Sequence, residues 1–278
     1  MQAQDAYTRS VDVWHAERIT RLAAEDGWLS LIGRDWLNPG ENTLGSAPGS
    51  TVLLPPDVAP AKAGLFILKG EVVRFMPVPG SGLLLNGKPA TEAVLKSDME
   101  GKPDLLQAGR VRFYVIRRGD RFGIRIKDPR APSRKAFHGV ARYPVDPAWR
   151  VEADFVPYAT PQTRAISTVL GTTEPMTAPG LLRFKVGGRE VTLEPMVEDP
   201  DHPELFLIFR DATSAHGSYP AGRFLYAAMP KDGKVVLDFN RAINPPCAFT
   251  VFATCPLPPK QNQLAIAVTA GEKDPGLH

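Results

Sequence analysis

The sequence predicts a mainly β protein: an N-terminal helix, an antiparallel β-sandwich, and then an antiparallel β-barrel or sandwich. Three observations carry this. Twenty-eight of the 278 residues are proline, about twice the usual ~5% share, and proline is excluded from helix interiors and central strands. Short runs of alternating or apolar residues recur from residue 40 to the end, bounded by turn-forming residues. Only one segment, at the N-terminus, shows a clear helical stripe. At 43% hydrophobic and 23% charged residues, the chain has the composition of a globular protein able to build real cores.

The helix is expected from Tyr7, Val11, Trp14 and Leu22, which fall on one stripe at a 3.6-residue period while Arg9, Glu17 and Arg21 lie away from it. Gly27 is the expected stop. Beyond residue 37, NPGEN and SAPGS read as turns, and LFILKGEVVRF and LLLNGKPA read as tight hairpins. VRFYVIRRGDRFGIRIKD is the clearest hairpin, turning at Arg118-Gly119-Asp120. Residues 128–147 carry four prolines and little periodicity and read as a connection. From Arg150 a second series follows: VEADFVP, RAISTVL, LLRFKV, REVTLEPMV, ELFLIFRD, GRFLYAAM, KVVLDFN and QLAIAVTA. The expected organisation is therefore residues 1–37 as helix and connection, 38–129 as the first β domain, 130–147 as connection and 148–278 as the second β domain.

The net charge of +3 comes from interspersed charges. The densest basic segment, residues 110–125, sets its arginines among alternating apolar residues, as on the outer face of a hairpin, so nucleic acid is not an expected partner. No apolar run approaches the ~18 residues of a membrane span, and MQAQDAYTRSVDVW lacks the pattern of a signal peptide. A cytoplasmic, membrane-independent protein is expected. HxH, HExxH and CxxC are absent and His15, His138, His202 and His278 are scattered, so no metal site is predicted. No glycine-rich phosphate or dinucleotide loop is present, and no cofactor is expected.

Polar chemistry concentrates in one place. If residues 230–233 close a hairpin, Leu225 faces Asp238 and Arg223 faces Asn240, so Arg223, Leu225, Asp238 and Asn240 share one sheet face. One reading is a structural Arg223–Asp238 ion pair. The other is a ligand pocket, with Arg223 for an anionic or carbonyl group, Asp238, Asn240 and Asn244 for hydroxyls, and Tyr219 and Asp211 from the loop above. Asp238, Asp211 and His216 are the candidate acid–base groups for a hydrolase-like version of the same pocket; Ser214, Ser218, Tyr219 and Cys247 show no nucleophile motif. A small polar or anionic molecule is the expected ligand, and a protein-interaction role for the first β domain is a third reading.

Both cysteines lie in NPPCAFTVFATCPLPP. On a straight strand Cys247 and Cys255 would be roughly 26 Å apart, against the roughly 7 Å limit of a disulfide. The segment between them has no glycine, asparagine, aspartate or proline on which to turn. Buried thiols on one strand face are the favoured expectation, with a disulfide and a reactive Cys247 as alternatives.

Two resemblances add to this. GENTLGS, TVLLP, GLFIL and LLLNG, in that order over residues 40–127, resemble a degenerate forkhead-associated domain. That family implies an antiparallel β-sandwich that grips phosphothreonine through an arginine after the first glycine, a later serine–histidine pair and an asparagine before glycine. Here Ser46 follows Gly45, the loop reads PAKAGLF, and only Asn86-Gly87 matches. The resemblance therefore implies the scaffold without the guanidinium grip. DGWLSLIG, GENTLGS, FRDATS, GRFL, LDFNRAINPPCAF, CPLPP and AGEK together resemble bacterial domain-of-unknown-function family 1684 over nearly the whole length. TSAHGSYPAGR departs from that family's central pattern at Ala215, Gly217, Ser218 and Pro220. This second resemblance implies no reaction.

Overall fold

Glycine-containing turns set the hairpins that dominate the first half of the chain. Asn86 and Gly87 both take positive φ, 50° and 80°, the conformation a two-residue hairpin loop requires. The computed structural model describes residues 2–199, 201 and 203–277; His202 and His278 lie outside the described residues. Helix α1 runs Gln2–Leu22 and ends before Gly27, which instead precedes a short 3-10 turn at Trp28–Ser30.

The strands follow in order: β1 (Leu31–Trp36), β2 (Gly40–Gly45), β3 (Val52–Leu53), β4 (Gly64–Lys69), β5 (Val72–Pro77), β6 (Leu84–Leu85), β7 (Lys88–Pro89), β8 (Ala93–Leu95), β9 (Leu106–Ala108), β10 (Val111–Arg118) and β11 (Arg121–Lys127). They form one sheet in the order β1-β11-β10-β9-β6-β7 and another in the order β3-β2-β4-β5-β8. All pairings are antiparallel except β2 with β3. Phe66, Phe75 and Leu44 from one sheet share a core with Phe113, Val115 and Ile124 from the other, so the two sheets form a sandwich. Gly45 is required for packing: a Cβ there would lie 2.1 Å from the Ala61 carbonyl oxygen.

The strands of the second half are β12 (Arg150–Ser167), β13 (Thr173–Val186), β14 (Arg189–Leu193), β15 (Leu205–Phe209), β16 (Arg223–Ala227) and β17 (Lys234–Asp238). They form a four-stranded sheet, β14-β13-β12-β17, and a two-stranded sheet, β15-β16. Among the described residues no sheet closes into a barrel. VEADFVP and RAISTVL, expected as separate strands, are two ends of β12, which is irregular in its pairing between Pro157 and Gln162. QLAIAVTA is not a strand: it is irregular backbone, with Val268 and Ala270 buried in the core. Leu205, Leu207 and Phe209 share that core with Leu182, Leu193, Leu237 and Phe239, while Phe206 on the opposite face stacks on Tyr226 and meets Phe224 edge-on.

The predicted pairing of GRFLYAAM with KVVLDFN does not form. β16 pairs with β15, Arg223 opposite Phe209, and β17 pairs with β12, Asp238 opposite Arg150. The apolar alternation explains the choice. β15 is apolar at every position and completes the burial of β16, whereas β17 has one apolar face and serves as a sheet edge.

By its contacts the chain separates into two compact units, residues 22–137 and residues 1–21 with 138–278. Most of α1 thus belongs with the second β series.

Candidate functional site

The candidate polar residues divide into two groups, and burial decides which is which. Arg223 and Asp211 form an ion pair at 2.8 Å, with both side chains 0% exposed. The Arg223 guanidinium also donates to the carbonyls of Val268 at 2.9 Å and Glu272 at 3.4 Å, and to that of Ala270. It lies over the Phe209 ring. Asp211 in turn accepts from the Thr213 backbone and hydroxyl and from the Val268 N–H. β16 explains this: Leu225 and Ala227 point into the core, and with a period of two Arg223 points the same way. The face read as a pocket wall is the core face, and Arg223 is not available to a ligand.

Asp238 stands elsewhere, on an open cleft of about 900 Å³ lined by residues of α1, β12, β16, β17 and the turn after β17. Its strand position sends it outward, since Val235 and Leu237 face the core. β17 ends at Asp238, whose carboxylate caps the following 3-10 turn by accepting from the Asn240 N–H at 3.2 Å. It also accepts from the Tyr7 hydroxyl at 2.7 Å and lies 3.3 Å from the Arg241 guanidinium. Burial first, then the hydrogen bond to Asp238, holds the Tyr7 phenol well above its ordinary value, so it stays a donor. The Asn240 amide donates to the Tyr7 oxygen and to the Asp146 carbonyl, both at 2.9 Å, and accepts from the Asp146 N–H at 3.0 Å. Asn240 is 3% exposed and fixes the cleft wall.

Arg150 completes the arrangement. As the direct cross-strand partner of Asp238 it shares that face, and it lines the cleft while exposed to solvent. Among the described residues it has no carboxylate partner. Ser10 lines the cleft beside Arg241, whose guanidinium also lies over the Trp14 ring.

The remaining candidates lie apart from this cleft. Asn244 is buried, its N–H donating to Glu272 at 2.6 Å and its amide to the Lys273 carbonyl at 2.7 Å. Tyr219 donates to the Cys247 carbonyl at 3.2 Å. His216 is exposed in the loop before Tyr219. Of the predicted set, then, Asp238 and Asn240 come together at the cleft, while Arg223 and Asp211 come together only in the core. Arg150, Arg241, Tyr7 and Ser10 went unassigned because their association depends on β17, which starts at Lys234, choosing β12, which starts at Arg150 far earlier in the chain. Tyr7 did carry one signal: its place on the helical stripe.

In the N-terminal unit, Asn86 ties its own loop, donating to Asp104 at 2.7 Å and accepting from the Leu105 N–H at 2.9 Å. The basic hairpin is matched by acids: Arg110 meets Asp57 and Asp128, Arg117 meets Glu71, and Arg118 meets Asp98. Among the described residues no three His, Cys, Asp or Glu side chains gather to hold a metal ion, and no helix is long and apolar enough to cross a membrane.

These features define a mainly β protein with an N-terminal helix, a two-sheet sandwich unit, and a second β unit bearing a polar cleft. The chain belongs to the family described as Protein of unknown function (DUF1684), whose model matches residues 135–273. Among solved structures it is similar to an uncharacterized protein of Haloarcula marismortui determined by solution NMR, with 33% identity and a TM-score of 0.44, over 52% of this chain and 81% of that one. It is also similar to a chain solved for a structural and functional analysis of phosphothreonine-dependent FHA domain interactions, with 15% identity and a TM-score of 0.25, over 34% of this chain and 92% of that one. No curated protein matches it.

Proposed function

We propose that the C-terminal β unit binds a small polar molecule carrying an anionic group in the Asp238 cleft. Arg150 and Arg241 would meet the anion, while Asp238, Tyr7 and Ser10 would meet hydroxyls. The observation that carries this reading is Arg150: a guanidinium on a cleft of about 900 Å³, with no carboxylate partner among the described residues, directly across from an aspartate already engaged by Tyr7 and Asn240. Concave sites with a few converging polar groups suit small ligands, and a guanidinium can hold a carboxylate or phosphate through paired hydrogen bonds.

The test is a thermal-shift screen of sugar acids, hydroxy acids and phosphorylated metabolites against the purified chain. At least one compound should raise Tm, and Arg150→Ala should abolish that shift while leaving the Tm of the unliganded protein nearly unchanged. A hit that survives both Arg150→Ala and Arg241→Ala, or a screen without hits, would overturn the reading.

A further inference from the structure

The two cysteines are far closer than a strand would place them. Residues 246–248 form a 3-10 turn, and the chain then reverses. The N–H groups of Ala248 and Phe249 donate to the carbonyls of Pro245 and Pro246 at 2.9 and 3.0 Å, and Thr250 N–H also reaches Pro246. The Thr250 hydroxyl accepts from the Phe252 N–H at 3.3 Å and closes the bend. A threonine hydroxyl thus supplies the turn chemistry that the absence of glycine and asparagine hid. Cys255 is fixed beyond the bend by its carbonyl, which accepts from the Val169 N–H at 3.0 Å, and by the Leu257 N–H donating to Ser167 at 2.7 Å. The result sets the Cys247 N–H on the Cys255 sulfur at 3.2 Å, so the two cysteines meet across the bend. The expectation of one straight strand face is corrected accordingly.

The two positions are not equivalent. Cys247 is half-buried, and Cys255 is buried behind it. The Tyr219 hydroxyl lies against Cys247. The thiol of Cys255 donating to Cys247, against the opposing effect of burial and with help from Tyr219, holds the Cys247 thiol below its ordinary value. A half-buried cysteine whose backbone N–H holds the sulfur of a second, buried cysteine is the arrangement of an attacking and a resolving cysteine.

We propose that Cys247 and Cys255 form a dithiol exchange site whose substrates are low-molecular-weight disulfides. The Cys247 thiolate attacks one sulfur of R–S–S–R; the Cys247–S–S–R bond forms, the R–S–S–R bond breaks, and RS⁻ leaves. The Cys255 thiolate then attacks the Cys247 sulfur, forming the intramolecular disulfide and expelling the second RS⁻. The two protons lost by the cysteines end on the two released thiols. The protein pair is oxidised and the small disulfide is reduced, with no further reactant.

The full chain, treated with oxidised glutathione, acid-quenched and alkylated, is read by mass spectrometry. The expected product is a chain with neither thiol alkylated and no glutathione retained. Cys255→Ser should stop at one retained glutathione, and Cys247→Ser should react at least about tenfold more slowly, because the remaining thiol is buried. A second reading needs no variant. In urea, where contact between the thiols is lost, the ratio of intramolecular disulfide to glutathione adduct formed by the unmodified chain should drop several-fold. A native chain that stops at the adduct, that reacts only in urea, or whose ratio is the same in urea overturns the proposal.

Discussion

Two guanidinium–carboxylate arrangements in the same β unit do opposite things. Arg223 and Asp211 are sealed, their hydrogen bonds going to each other, to backbone and to the buried Thr213 hydroxyl. Arg241 and Asp238 edge an open cleft, beside Arg150, which has no carboxylate partner among the described residues. Residue type does not separate the two; the side of the sheet does. A buried pair holds the fold because its partners cannot rehydrate when separated. A pair at a solvent-facing edge contributes less to stability than a sealed one.

This contrast can be broken most directly at the sealed pair. Arg223→Met strands the Asp211 charge and should cost about 3–5 kcal/mol in urea unfolding, while Arg223→Met with Asp211→Leu should recover much of it. A single-variant loss under about 1 kcal/mol would mean the pair is not sealed in solution.

Next come two buried glutamates whose titrations should run in opposite directions. Burial pushes Glu194 up, but hydrogen bonds from Arg164, Tyr158 and Gln261 outweigh it and hold its carboxyl below the ordinary range. Its stabilisation is present above the unfolded-state value and is lost as pH falls through the lower folded one. Glu272 is raised by burial, which Arg18 at 3.4 Å only partly offsets. Its stabilisation is full below the unfolded-state value and is lost as pH rises through the folded one. Unfolding curves from pH 3 to 8, compared with Glu194→Gln and Glu272→Gln, should show each variant flattening its own limb. Glu194→Gln should also cost about 1–2 kcal/mol at pH 7. A shared direction for the two variants would refute the contrast.

Smaller effects belong to the cleft. Tyr7→Phe removes the 2.7 Å bond to Asp238 and should cost about 1 kcal/mol by thermal unfolding. Arg150→Ala should fall within about 0.5 kcal/mol of the parent. If Arg150→Ala destabilised more than Tyr7→Phe, Arg150 would be a structural residue and the ligand reading would weaken.

Much of the fold was legible because it rests on local chemistry. The β4–β5, β6–β7 and β10–β11 hairpins are set by the residues at their turns, and their strands alternate as turn-joined strands must. The helix was legible from its period. What failed were the non-local choices. The seven residues between the cysteines bend without an obvious breaker, since Thr250 supplies the turn through its side chain. QLAIAVTA alternates like a strand, yet core burial rather than sheet pairing claims its apolar positions.

The candidate site shows the same division. That Arg223 shares a face with Leu225, that Val235 and Leu237 alternate with Asp238, and that Tyr7 lies on the stripe of a helix follows from residue order, because side-chain period is a property of backbone geometry. Which face is core and which is open is set by long-range packing. That choice depends on strand pairing across long stretches of chain: β16 with β15, and β17 with β12. Pairing partners are selected by the total apolar surface they bury together, a property of the whole unit that no local window contains.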